Sequence, residues 1–348
     1  MPEVSLLLAA VIALALVFTF INGFHDTANA IACSVSTKVL SPRQAIALAA
    51  VMNFLGAMWS TKVAATIGKG IIDPQFATSQ LVIAALVSAI IWNLLTWYYA
   101  LPSSSSHALI GGVMGAGVAG HGTGVLRLHA IGEMLESLVI SPFIGFFIGM
   151  ALVLALFYTF REWAPRRVRE IFRPAQVLAA ALISFTHGAN DAQKSMGIIL
   201  LALIGGHMLA ANADVPLWVK ITCTIAMAAG TAVGGWKIIK TMGGKVVKLQ
   251  PLTGFAVDLT SAGVILAATQ FGLPVSTTHV VAGSIMGVGS SKRLSAVRWG
   301  VAGNMLVAWV VTIPITFALA WGFYLGLDLV NHHQLNRAAA GALAEVAR

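Results

Sequence analysis

Leu101-Pro102-Ser103-Ser104-Ser105-Ser106-His107 returns 172 positions later as Leu273-Pro274-Val275-Ser276-Thr277-Thr278-His279. Each copy runs on into a Gly-x-x-x-Gly stretch, Gly111 with Gly115 and Gly283 with Gly287. A second passage is duplicated in the same order. Gly23-Phe24-His25-Asp26-Thr27-Ala28-Asn29-Ala30 answers Gly188-Ala189-Asn190-Asp191-Ala192-Gln193-Lys194-Ser195 at an offset of 165. Two halves that each hold a carboxylate-amide cluster and a hydroxyl-rich helix start describe a pseudo-symmetric pair around one shared polar site, an architecture typical of secondary transporters.

The surroundings of these motifs are apolar. With 58% hydrophobic residues, 9% charged residues and a mean hydropathy of +0.87, the chain lacks the charge to cover a soluble globule, and a membrane protein is expected. Apolar stretches suited to crossing the hydrocarbon as helix read at 4–21, 45–59, 81–100, 134–160, 176–185, 219–236, 255–271 and 297–327. Of the formal charge of +9, Arg161, Arg166, Arg167, Arg169 and Arg173 fall between the halves, beside Pro165 and Pro174. The positive-inside rule makes this segment cytoplasmic, and a short basic linker between spans is ordinary topology, so no nucleic-acid partner is expected.

Equivalent loops alternate in charge. The loop after the first motif carries Lys38 and Arg43, where its counterpart at 205–216 has no Lys or Arg; the next pair reverses, with Lys62 and Lys69 against Lys237, Lys240, Lys245 and Lys248. Opposite orientations follow, hence an inverted repeat. The expected divisions are a first repeat at 1–160, a basic linker at 161–174, a second repeat at 175–330 and a tail at 331–348. Residues 1–33 have no basic n-region, Glu3 being the charge that precedes the apolar run, so they are expected to stay in the mature chain. Cys33 and Cys223 show no CxxC spacing and read as packing residues.

An Asp in the bilayer costs on the order of 2.5 to 3.5 kcal/mol by insertion scales, which makes Asp26 and Asp191 functional-site candidates. Small neighbours such as Gly23, Ala28, Gly188 and Ala192 allow backbone carbonyls to approach or the helix to unwind. With the amide oxygens of Asn22, Asn29 and Asn190, the set suits a small cation or a proton relay. The hydroxyl runs supply the complement. Pro102 and Pro274, each at a first helical position and each leading into a run of Ser or Thr, mark helix starts directly after an apolar span, the pattern of a re-entrant hairpin whose tip offers N–H groups and a positive dipole end. Two such tips fit an oxyanion, phosphate best and sulfate as the near competitor. His107 and His279 read as hydrogen-bond or proton partners at the tips rather than as transition-metal ligands, because the histidines His25, His107, His187 and His279 form no i, i+4 pair of metal-ligand type with one another. Pro142 and Pro314, equivalent under the 172-residue offset, are expected to kink the closing helix of each half.

The four motifs in this order resemble the inorganic phosphate transporter (PiT) family, whose duplicated signature is close to Gly-Ala-Asn-Asp-x-Ala-Asn-Ala. The first copy departs from it at Phe24 and His25, the second at Gln193-Lys194-Ser195, a pattern similar to the bacterial branch. The resemblance implies an all-α polytopic membrane protein of the inner (cytoplasmic) membrane. It would have two inverted-topology repeats with broken helices and two re-entrant helical hairpins, and would act as a symporter of inorganic phosphate driven by H+ or Na+. It implies phosphate contacts at Ser104, Ser105, Ser106, Ser276, Thr277, Thr278 and Lys194, and cation coupling at Asp26, Asn29, Asn190 and Asp191. Asp26 and Asp191 would be the metal ligands if sodium is the ion.

Lys194 stands where the first copy has Asn29, and an ammonium cannot ligate a cation. Either it replaces one cation or contacts the anion, or it snorkels to the headgroups. No cofactor and no enzymatic activity are expected; a symmetric duplication of a Ser105–His107 nucleophile has no catalytic rationale. Partners are phosphate, the bilayer and a second copy of the chain as a homodimer. The rival readings are a sulfate or other oxyanion permease and an anion channel using the same hairpins as a filter.

Overall fold

The structure, a computed structural model, describes residues 6–346, with side chains to residue 330. Glu3 and the side chains of the tail at 331–348 lie outside the described residues. Twelve α-helices follow one another: α1 (Leu6–Ser36), α2 (Pro42–Ala57), α3 (Lys62–Gly70), α4 (Ser79–Tyr98), α5 (Ser105–His121), α6 (Leu128–Thr159), α7 (Pro165–Gly205), α8 (Leu217–Val233), α9 (Trp236–Lys240), α10 (Pro251–Gln270), α11 (Thr277–Ser290) and α12 (Trp299–Val346). Among the described helices five are long and apolar enough to cross a membrane, α1, α4, α6, α10 and α12. Counting as single spans two bent pairs, α2 with α3 at 68° and α8 with the stretch to Lys245 at 59°, raises the number to seven. Helix α7 is not among them. Its residues 186–204 are all buried, so it faces protein rather than lipid and can carry a polar motif along its middle.

The order α1–α6 is repeated as α7–α12 in the opposite sense. Arg173 near the start of α7 donates to the Lys38 carbonyl just past the end of α1, at 3.2 Å, so the two motif helices run antiparallel. The halves interlock. Helix α1 packs on α8 while α7 packs on α2, and α5 packs on α12 while α11 packs on α6. The duplicated glycines are the contact points: a Cβ at Gly115 would run into the Phe317 carbonyl of α12, and one at Gly287 into the Phe146 carbonyl of α6. Small residues let these backbones approach where lipid gives no hydrophobic drive for helices to associate.

The hairpin tips are tied across the same seam. Lys62 donates to the Gln270 carbonyl at 2.9 Å and Thr66 to that of Gly272 at 2.8 Å; in the other half Lys237 donates to the Tyr98 carbonyl at 3.3 Å and Thr241 to that of Ala100 at 3.2 Å. Each pair satisfies the carbonyls left free where a hairpin helix ends. Both tips turn through the left-handed region, at Ala100 with φ 56° and at Gly272 with φ 71°.

Two sequence expectations are corrected here. Helices α1 and α7 run unbroken through Asp26 and Asp191; the breaks fall at Met58–Thr61 and Gly234–Gly235 instead, where the glycine pair lifts the constraint on φ. Pro102 and Pro274 are not first helical residues, since Ser104 and Ser276 are the N-caps. Pro142 and Pro314 lie inside α6 and α12. The segment 161–174 is largely helical, forming the exposed first turns of α7.

Candidate functional site

The middles of α1 and α7 meet the starts of α5 and α11. Every candidate side chain named from the sequence is buried there, none more exposed than the 6% of His107. The site is therefore closed to both faces of the molecule.

Its bonds come in pseudo-symmetric pairs. Ser105 of the first tip donates to Asp26 Oδ2 at 2.9 Å, and its counterpart Thr277 donates to Asp191 Oδ2 at 3.1 Å. Asn29 of α1 donates to Thr277 at 3.2 Å and to Thr278 at 2.9 Å. In the position equivalent to Asn29, Lys194 Nζ reaches Ser105 at 3.1 Å and pairs with Asp191 Oδ1 at 2.8 Å. Thr278 adds a bond to Asp26 Oδ1 at 3.3 Å. Each motif helix thus holds the tip from the other half, through Asn29 and Lys194, while each carboxylate accepts a hydroxyl from the tip of its own half.

Lys194 does not snorkel: it is 1% exposed, and a charge so placed requires a carboxylate. Asn190 donates to Thr269 of α10 at 3.0 Å, while its Oδ1 and that of Asn29 have no partner among the described residues. Ser104 and Ser276 are spent as caps, accepting from the backbone N–H of His107 and His279 at 3.2 and 3.3 Å. Ser106 donates to the Val275 carbonyl at 3.1 Å and ties one tip to the other. The His107 and His279 rings face each other with centroids 4.7 Å apart, and His279 stacks on Trp309 at 3.8 Å. Their Nδ1 and Nε2 atoms, respectively, lack partners among the described residues.

The sequence reading missed two histidines. His25 occupies the position of Asn190 and repeats its bond, with Nε2 3.1 Å from Thr96 of α4; its Nδ1 lies 2.8 Å from Asp26 Oδ1. His187 stands where the first half has Asn22, with Nε2 3.3 Å from Asp191 Oδ2 and Nδ1 3.0 Å from Asn53 Oδ1. Each half therefore backs its aspartate with one histidine, from different turns. The signal was present: His187 and Asp191 have the i, i+4 spacing that places side chains on one helix face, and the offset of 165 pairs His25 with Asn190.

A cation finds acceptors here. One ligand atom each from Asp26, His187 and Asp191 lies within 4.8 Å of the others, and the unpartnered amide oxygens of Asn29 and Asn190 are hard oxygen donors of the kind sodium takes. Around Asp191 the position is contested, because the Lys194 ammonium already supplies a positive charge.

Comparison with known proteins gives the chain a family. Residues 22–320 match the sequence pattern of the phosphate transporter (PHO4) family. The chain is 50% identical to the "Probable low-affinity inorganic phosphate transporter" of Bacillus subtilis (strain 168), over 94% of this chain and 99% of that one. It is 47% identical to the protein of the same description from Rhizobium meliloti (strain 1021), over 93% and 97%. A solved structure titled "The sodium-dependent phosphate transporter" superposes with a TM-score of 0.87 at 25% identity, covering 93% of this chain and 99% of that one. The chain belongs to the phosphate transporter family. It is a multi-pass protein of the cytoplasmic membrane and a transporter rather than an enzyme.

Proposed function

We propose that this member of the family is a symporter of inorganic phosphate driven by protons, with the Lys194 ammonium standing where a symmetric site would take a second cation. The observation that carries this reading is the position of Lys194 Nζ, 2.8 Å from Asp191 and 3.1 Å from Ser105, equivalent to Asn29 in the other half.

Coupling follows from competition for hydroxyls. Ser105, Thr277 and Thr278, the donors suited to a phosphate, are engaged by Asp26 and Asp191. An anion brought between two charged carboxylates meets both their repulsion and their hold on its donors. A proton or cation on a carboxylate removes both obstacles, so each ligand favours binding of the other, reciprocally. His25 and His187 sit against the two aspartates and are placed to receive or pass a proton. At Asp191 the ammonium performs part of this neutralisation permanently.

The unpartnered oxygens of Asn29 and Asn190 favour phosphate over sulfate. Phosphate keeps a P–OH near neutral pH and can donate to them; sulfate is acceptor-only and leaves buried acceptors unpaired. The test is uptake of labelled phosphate by the purified protein in liposomes, with pH and sodium gradients imposed separately. An acid-outside gradient alone should drive saturable accumulation that excess sulfate leaves intact. Accumulation driven by sodium alone would refute proton coupling, and unsaturable downhill flux would indicate a channel.

A further inference from the structure

Far from the central site the two halves share a further feature, and they carry it with opposite charge. On the outer face, beside the end of α7, the chain after α5 crosses the chain after α3: the Arg127 backbone N–H donates to the Ile71 carbonyl at 3.1 Å. The inverted copy makes the same crossing on the cytoplasmic face, where the Arg298 backbone N–H donates to the Val246 carbonyl at 3.0 Å. Each crossing walls a surface cavity, about 610 Å³ outside and about 290 Å³ inside.

The crossings set the register between the copies. Two residues beyond Ile71 stands Asp73, which lines the outer cavity and pairs with Arg127 at 3.3 Å. Two residues beyond Val246 stands Lys248, which lines the inner cavity together with Arg298, Lys292 and Arg293. No acidic residue lines the inner cavity, and none of its four cations joins an ion pair among the described residues. The positive-inside rule asks for cations on this face. It does not ask them to converge on one cavity, at the place where the other half puts an acid.

The walls of the inner cavity are close-set. A Cβ at Gly289 of α11 would lie 2.6 Å from the Val247 side chain and 3.0 Å from that of Val297. Lys292 Nζ stands 5.3 Å from the centre of the Phe157 ring, near the end of α6 that leads into the basic segment 161–174. Like charges gathered on such a frame repel one another, and an anion between them turns repulsion into attraction. Guanidinium groups take a phosphate group by paired N–H bonds and ammonium groups take it as point charges, so the set suits phosphate chemistry.

We propose that the inner cavity is a regulatory anion site, taking a phosphate group from a soluble cytoplasmic phosphate or from a phospholipid headgroup and slowing transport when filled. The stretch that carries Lys248 continues from Lys237 and Thr241, whose bonds to the Tyr98 and Ala100 carbonyls hold the first hairpin tip. An anion joining Lys248 to Arg298 fastens that stretch to the start of α12. It thereby favours the closed state over one opened toward the cytoplasm, and a ligand that prefers one state shifts the balance toward it. The site is independent of which cation drives uptake.

The test compares wild type with Lys248→Asp and Arg298→Gln, using glycerol phosphate as the soluble probe and vesicles of phosphatidylcholine with or without phosphatidylglycerol. Lys248→Asp supplies the acid that the outer cavity already has, so it gives Arg298 a partner and removes the need for an anion. In phosphatidylcholine without the probe, both variants should take up labelled phosphate at the wild-type rate. In detergent at constant ionic strength, glycerol phosphate should raise the unfolding midpoint of wild type and leave both variants unmoved, as loss of a ligand site requires. With the probe on both faces of the vesicle, wild-type uptake should slow and that of the variants should not. If phospholipid is the source, phosphatidylglycerol alone slows wild type and spares the variants, and the probe adds nothing. Variants that respond to probe and lipid as wild type does, or a wild type that responds to neither, would overturn the proposal. A midpoint shift confined to wild type with uptake unchanged would overturn the regulatory role. If Arg298→Gln does not fold, Lys248→Asp decides.

Discussion

At Lys194 one side chain replaces what the other half builds from an amide and, in the proposed mechanism, a mobile ion. Removing it should show in stability before transport is measured. Lys194→Ala strips Asp191 of its ammonium, a change that costs about 3 to 5 kcal/mol for a buried pair, moderated by His187. Lys194→Asn restores an oxygen ligand, so its thermal unfolding in detergent should rise when choline chloride is exchanged for sodium chloride, as a ligand that binds the folded state requires. Lys194→Ala should not respond. Asp26→Asn removes the charge and keeps the volume; it should insert normally and lose coupled uptake, and near-normal uptake would remove Asp26 from the coupling site. The carboxylates, Asn29, Asn190 and Lys194 were all legible from duplication. His25 and His187 were not singled out, because each replaces an asparagine of the other copy and so breaks the repeat that drew attention to its neighbours.

The hairpins turn their hydroxyls into a shared resource. Ser105→Ala and Thr277→Ala should each weaken phosphate binding by about 0.5 to 3 kcal/mol, the range for losing a donor to a neutral or charged oxygen. Calorimetry on the double variant checks this, and an unchanged affinity would mean that these hydroxyls serve the carboxylates alone. Ala100 adopts at the first tip the left-handed conformation that Gly272 adopts at the second. Ala100→Gly should therefore stabilise the protein by about 1 kcal/mol, read as a shift in its unfolding midpoint. The Ser and Thr runs announced the two helix starts, but placed them three residues early: Pro102 and Pro274 precede the caps and guide the chain out of the turn. The break after α2 has no such announcement at Met58–Thr61. Helix α7 shows what hydropathy reads. Its buried middle, 186–204, is enclosed by protein, so apolarity marked only the part at 176–185 as a span.

Across the whole molecule the two repeats are interlocked rather than side by side, each contributing a hairpin to the other's motif helix and closing helix. The offsets of 172 and 165 and the alternation of loop charge revealed two inverted halves. Which surfaces meet was not legible, because the contacts join residues far apart in sequence through glycines that any close helix pair would use. With both tips tied and the site buried, the structure is a closed state, and transport requires one seam to open at a time. Proton coupling with Lys194 in the second cation position is tested most directly by phosphate uptake measured against sodium concentration under a fixed pH gradient, in wild type and Lys194→Asn. The wild-type curve should be flat and the Lys194→Asn curve should rise with sodium; a wild-type curve that climbs with sodium as the variant's does would contradict it.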